Sequence, residues 1–133
     1  MMKRIIDSVK KNCNVHLRPS KVCDGVGVFA LVDIKKGTKL FADIKPDTDF
    51  ILFDEESGLP NEVITYLKSM CNNGFNGIYL SRTVSSINLS YYVNHSDDFN
   101  VEHYIFVDCY VTTRDIKKGE EILCKYNESE IDW

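Results

Sequence analysis

The sequence predicts a mainly β domain with one principal helix. Three observations carry that expectation. Short runs rich in Val, Ile, Phe and Tyr recur along the chain, glycine and Asn/Asp turn signals punctuate them, and the most convincing helix is LPNEVITYLKSMCNN, whose apolar residues repeat at helical spacing. At 133 residues, 44% hydrophobic and 27% charged, the chain has the size and balance of one globular domain.

Taken in order, residues 3–11 place Ile5, Ile6 and Val9 at helical spacing among Lys and Asp, which predicts a short amphipathic helix docked on the body. From VHLRPS through GVGVFALVDIKKGTKLFADI, the Val, Phe and Ile content with interspersed glycine predicts two or three short strands and tight turns. Gly25 and Gly27 flank Val26 where the backbone bends or lies close to another group. PDTDFILFDEESG reads as a strand followed by an acidic loop. The principal helix puts Val63, Ile64, Leu67 and Met70 on one face and ends at the NNG that follows. Strand-like runs then return in IYLSRTVSS, INLSYYV, EHYIFVDCYVTT and EEILCKY, a pattern of small sheets rather than βαβ units.

DIKKG occurs twice, at Asp33–Gly37 and Asp115–Gly119, with little similarity around it. Shared turn geometry explains this better than a duplicated unit. In each copy an apolar strand runs out, Asp bonds to backbone amides of the turn, two lysines face water, and Gly takes a positive φ before the next strand.

A net charge of -4 argues against a nucleic-acid binder held by phosphate contacts and favours basic partners. Five cysteines without a CxxC pair, behind an amino terminus lacking an apolar signal core, are read as reduced thiols of an intracellular protein. No apolar run approaches the roughly 20 residues of a membrane span. Cys13 and His16 form a C-x2-H pair near Cys23, but a closed zinc site needs a fourth ligand and no second pair is visible, so no metal is expected. Cys109 and Cys124 stand in apolar strand-like runs, where a thiol is inert, which disfavours a Cys–His hydrolase built with His95.

Three stretches, GVGVFALVDIKKGT, NHSDDFN and RDIKKGEEILCKY, resemble in order and spacing the SET-domain protein lysine methyltransferases. The likeness is greatest to small stand-alone members such as those encoded by large DNA viruses, and it covers Leu17 to Tyr126. The resemblance implies a SET-domain (β-clip) fold of small curved sheets with a threaded, pseudoknot-like carboxy-terminal segment. It divides the chain into an extension (1–16), the domain itself (17–126, with a variable insert at 43–80 and a helix at about 60–70) and a tail (127–133).

The same resemblance implies that S-adenosylmethionine binds on one face while a substrate lysine enters from the other. Gly25, Val26 and Gly27 would bring backbone groups against the cofactor, Asn94 would hold adenosine with its amide, and His95 would do so chiefly through its backbone. Tyr126 would be the catalytic tyrosine, with Tyr92 and Tyr110 as channel walls for substrate. The sequence departs from the family's habit at Val26, where an aromatic residue is frequent, and at Asp97, Asp98 and Phe99, where Cys and Pro are frequent. The chain given runs only to Trp133, with no cysteine-rich zinc module after Tyr126, and Trp133 is expected to fold back over the cofactor or the lysine channel.

The expected activity is methylation of a lysine in a basic protein tail, with histone the leading candidate, steered by the acidic runs DTD and DEESG. No direct nucleic-acid or membrane partner is expected. Nuclear action would follow from a chromatin substrate, and small members of the family can be dimers, which leaves monomer and homodimer both open. The rival reading is a catalytically silent SET-like module that binds a peptide or protein partner.

Overall fold

A computed structural model describes residues 2–42, 48–53, 58–71, 77–81, 85, 88–104 and 109–126. In chain order the elements are α1 (Met2–Asn12), β1 (Val15–Pro19), β2 (Val26–Ala30), β3 (Lys39–Leu40), β4 (Thr48–Leu52), α2 (Asn61–Cys71), β5 (Gly77–Ser81), a 3-10 helix (Leu89–Tyr92), β6 (Asn94–His95), β7 (Val101–Tyr104), β8 (Cys109–Thr112) and β9 (Glu121–Cys124). Strands dominate, as the sequence predicts. The chain divides into two units, Met1–Lys45 with Tyr92–Lys125, and Pro46–Tyr91 with Tyr126–Trp133.

In the first unit the described strands form a mixed, open sheet in the order β1-β2-β9-β7-β8-β3, with β6 also pairing β9. The joining element is β9. It runs antiparallel to β2 (Val28↔Ile122, Phe29↔Glu121) and parallel to β6 (Asn94↔Leu123, His95↔Cys124) and β7 (Val101↔Cys124). β9 is flanked by strands on both edges, and its residues EILC are largely buried. Val28, Leu40, Val101 and Ile122 are fully buried and form the centre of this core with Ile116.

Asn100 secures β9 in place. Its side chain, 1% exposed, donates Nδ2 to Glu121 O at 2.8 Å and accepts Leu123 N on Oδ1 at 2.8 Å, while its own N donates to Leu123 O at 2.9 Å. A short polar side chain here copies a strand ladder where no strand runs.

The two DIKKG segments lie against each other. Ile34 and Ile116 form an antiparallel bridge and are 4% and 1% exposed. Gly37 and Gly119 take φ of 84° and 89°, the left-handed geometry expected of each turn. The aspartates differ from expectation: each serves the other copy's turn. Asp115 Oδ1 accepts Lys36 N, and Asp33 Oδ1 accepts Lys118 N, both at 2.8 Å. The antiparallel bridge is the cause, since it brings each aspartate opposite the partner turn rather than its own.

The amino-terminal helix forms but does not dock through its apolar stripe. Ile5, Ile6 and Val9 are 62%, 46% and 53% exposed. Lys10 and Lys11 in its last turn interact favourably with the helix dipole. At 11 residues it equals α2 in length, so the principal helix is not the longer one.

In the second unit β4 and β5 pair antiparallel from Thr48↔Ser81 to Leu52↔Gly77. The buried Leu67 of α2 packs with Ile51, Phe53, Leu59 and Tyr91, whereas Val63 on the predicted apolar face is 38% exposed. None of the described helices is long and apolar enough to cross a membrane.

Candidate cofactor site

The first unit gathers Gly27, Asn94 and Glu121 at one point. Gly27 is buried next to the β2–β9 pairing, Asn94 opens β6, and Glu121 opens β9. A Cβ on Gly27 would collide with Glu121 Oε2, lie 2.9 Å from Glu121 Cδ and 3.3 Å from Asn94 Nδ2. The glycine is therefore required first by the protein's own side chains, a reason the sequence did not supply. At Gly25 an added Cβ would meet, among the described residues, only Cys23 Sγ at 3.8 Å, so there is room beside the backbone.

Asn94, 8% exposed, donates Nδ2 to Val26 O at 3.0 Å and to Glu121 Oε2 at 3.2 Å. Both bonds of the NH2 group stay inside the protein, so the atom it can offer a ligand is Oδ1, an acceptor. His95 pairs with Cys124 through the β6–β9 ladder, and its Nε2 lies 3.8 Å from Asp97 Oδ1.

Glu121, 7% exposed, accepts hydrogen bonds from Ser20 Oγ at 2.8 Å, Lys21 N at 2.8 Å and Asn94 Nδ2. Three donors satisfy most of a carboxylate's needs, which makes burial of the charge tolerable. Sequence reading passed over Glu121 and Ser20, which lie a hundred residues apart in the chain and meet only through the β2–β9 pairing. The weak signal was local: a serine heading a short turn-like stretch before Gly25, and a glutamate heading an apolar strand.

Tyr110 sits on β8 between two aromatic neighbours. His103 stacks on it across the β7–β8 pair, with centroids 4.7 Å apart and planes at 28°, and Phe41 meets it edge-on at 5.6 Å and 80°. Phe41 has φ 62°, uncommon for a bulky residue, and is only 8% exposed. Neither neighbour was singled out in the sequence. Tyr92 ends the 3-10 helix and is half-buried. Tyr126 follows β9 by two residues and belongs with the second unit. Trp133 lies outside the described residues.

Cys109 and Cys124 are buried, whereas Cys13 and Cys23 are exposed. Among the described residues no group of three His, Cys, Asp or Glu side chains is placed to hold a metal ion.

A family model for the SET domain matches residues 25–127, a span that runs from the open glycine through Asn94 and Glu121 to Tyr126. The chain belongs to the SET-domain family. Among solved structures, this SET domain is 30% identical to a proposed histone methyltransferase of Plasmodium falciparum, with a TM-score of 0.51 and coverage of 86% of this chain and 93% of that one. It is 26% identical to a humanized mutant of the Chaetomium thermophilum Polycomb Repressive Complex 2 bound to an inhibitor, with a TM-score of 0.54. It is 25% identical to ctPRC2 in an autoinhibited conformation bound to S-adenosylmethionine, also with a TM-score of 0.54. These two likenesses cover 86% of this SET domain but 15% of the larger chains. No match is found among the curated proteins.

Proposed function

We propose that this SET domain transfers a methyl group from S-adenosylmethionine to a lysine side chain of a basic protein tail, a histone tail being the leading candidate. The observation that carries the reading is the Gly27–Asn94–Glu121 cluster near Gly25, in which the Asn94 NH2 group is committed to Val26 O and Glu121 and its Oδ1 makes no hydrogen bond among the described residues. Family membership and the histone methyltransferase neighbours support it.

The residues fit the cofactor. Gly25 has room for close approach of a ligand to the backbone, and Asn94 Oδ1 suits an N–H donor such as an adenine amine or an ammonium. When bound, S-adenosylmethionine supplies a methyl group on a sulfonium, already activated for in-line displacement. The protein then has to bind, align and desolvate. Alignment of the reacting groups alone is worth on the order of 7–11 kcal/mol in favourable systems.

Val26 O and Glu121 hold the Asn94 NH2 group still, and Asn94 would orient the cofactor through Oδ1. Tyr110, set between Phe41 and His103, serves as an aromatic wall that disfavours the ammonium form of an entering lysine by desolvation. Tyr126 is the proposed catalytic residue. Its hydroxyl would accept weak C–H···O contacts from the methyl group of the bound cofactor. Action in the nucleus follows if the substrate is chromatin.

The test is calorimetric titration of the whole chain with S-adenosylmethionine, then mass spectrometry of a histone mixture incubated with both. Cofactor binding with methyl-sized mass gains on lysine supports the proposal. Peptide binding without cofactor binding or turnover would instead identify a silent recognition module.

A further inference from the structure

Glu121 does more than fill the space beside Gly27. The loop between β1 and β2 is organised by one serine: Ser20 N donates to Gly25 O at 2.8 Å, and Ser20 Oγ accepts Val22 N at 3.1 Å and Cys23 N at 3.3 Å. With its oxygen accepting from two amides, the hydroxyl has one proton to place, and it goes to Glu121 Oε2 at 2.8 Å. The other carboxylate oxygen takes the next amide, Lys21 N, at 2.8 Å. Residues 21–25 are all exposed, so the loop has little apolar burial to hold its shape and depends on this hub.

We infer that Glu121 is a positioning residue that, through Ser20, holds the Ser20–Gly25 loop in the hydrogen-bonded conformation that cofactor binding needs. This rests on the cofactor reading above. The loop ends at Gly25, the open edge of the cradle, and the same carboxylate holds Asn94, the other proposed cofactor contact. One buried charge thus sets both sides of the cradle.

The test compares Ser20→Ala, Ser20→Thr, Glu121→Gln and the Ser20→Ala/Glu121→Gln double variant with the parent. A hydrogen bond to a charged group is at stake, so Ser20→Ala and Glu121→Gln are expected to weaken S-adenosylmethionine binding about tenfold, with KM for a histone-tail peptide unchanged. Ser20→Thr keeps the hydroxyl and should stay within about twofold of the parent, and the double variant should be no weaker than Glu121→Gln alone, because both changes break one chain of bonds.

Amide hydrogen exchange reads the loop without any cofactor: Val22 and Cys23 should exchange faster in Ser20→Ala and Glu121→Gln, while Val28 and Ile122 keep the parent's protection. Unchanged exchange at Val22 and Cys23 overturns the inference, as does cofactor affinity within twofold of the parent in both single variants. If the parent itself binds no S-adenosylmethionine, the cofactor reading fails, and the exchange data still decide whether Glu121 shapes the loop. Should Glu121→Gln not fold, Ser20→Ala, on the loop rather than in the core, carries the comparison.

Discussion

Ile34 and Ile116 exchange both backbone hydrogen bonds, Ile34 N to Ile116 O at 2.8 Å and Ile116 N to Ile34 O at 2.7 Å. The two copies of DIKKG are therefore partners in one local structure. Each contributes a buried isoleucine, a glycine turn and an aspartate that bonds to the turn of the other.

This pairing makes the two segments interdependent in stability. Ile116→Ala removes a side chain that is 1% exposed and should cost about 2–5 kcal/mol. Asp33→Ala and Asp115→Ala, at exposed sites, should each cost about 1 kcal/mol. Urea unfolding of the single and double aspartate variants checks both values. Stability identical to the parent in Asp115→Ala would show that the cross-turn bond contributes nothing.

Gly37 and Gly119 allow a cleaner measurement. A Cβ at either meets no atom within 4 Å, so Gly37→Ala and Gly119→Ala change only the backbone preference. Each should lose about 1–2 kcal/mol, the penalty of an L side chain at positive φ. Thermal unfolding should register the loss with cofactor affinity unmoved, and a loss well beyond that range would mean that the turns repack.

Asn100→Ala should be among the most damaging polar substitutions. It strips partners from Glu121 O and Leu123 N in a buried strand, at about 1–3 kcal/mol for each group left unsatisfied. Asn100→Asp keeps the acceptor for Leu123 N but presents negative charge to Glu121 O, so it should not restore stability. Denaturant midpoints rank the three proteins, and recovery of the parent midpoint by Asn100→Asp would contradict the assigned pairing.

The proposed catalysis separates Tyr126 from Tyr110. Tyr126→Phe removes only the hydroxyl and should lower kcat by tenfold or more while S-adenosylmethionine affinity stays near the parent's, as a transition-state role requires. Tyr110→Ala removes a wall and should raise KM for the peptide with cofactor affinity unchanged. Steady-state kinetics beside calorimetry distinguish the two, and equal loss of cofactor binding in both would refute the division of labour.

Gly25, Val26, Gly27 and Asn94 were named from short motifs and the family likeness, and the structure brings Gly27 and Asn94 of these together beside Glu121. Glu121 and Ser20 were not named, since neither residue type signals burial and their meeting depends on pairing between distant strands. The exposed stripe of α1 misled for the complementary reason: periodicity shows that a helix is amphipathic, not that the body offers a surface for it.

By itself the sequence determined the strand-rich class, the turn glycines at Gly37 and Gly119 and the membership of the SET family, because propensity, patterning and motif order act over a few residues at a time. Only the tertiary structure decided that β9 joins β2 to β6 and β7, that each DIKKG aspartate serves the other copy, and that Gly27 yields its side-chain space to Glu121. Those outcomes depend on which distant strands pair and in what register, and one residue of slip would turn each of these side chains to the opposite face.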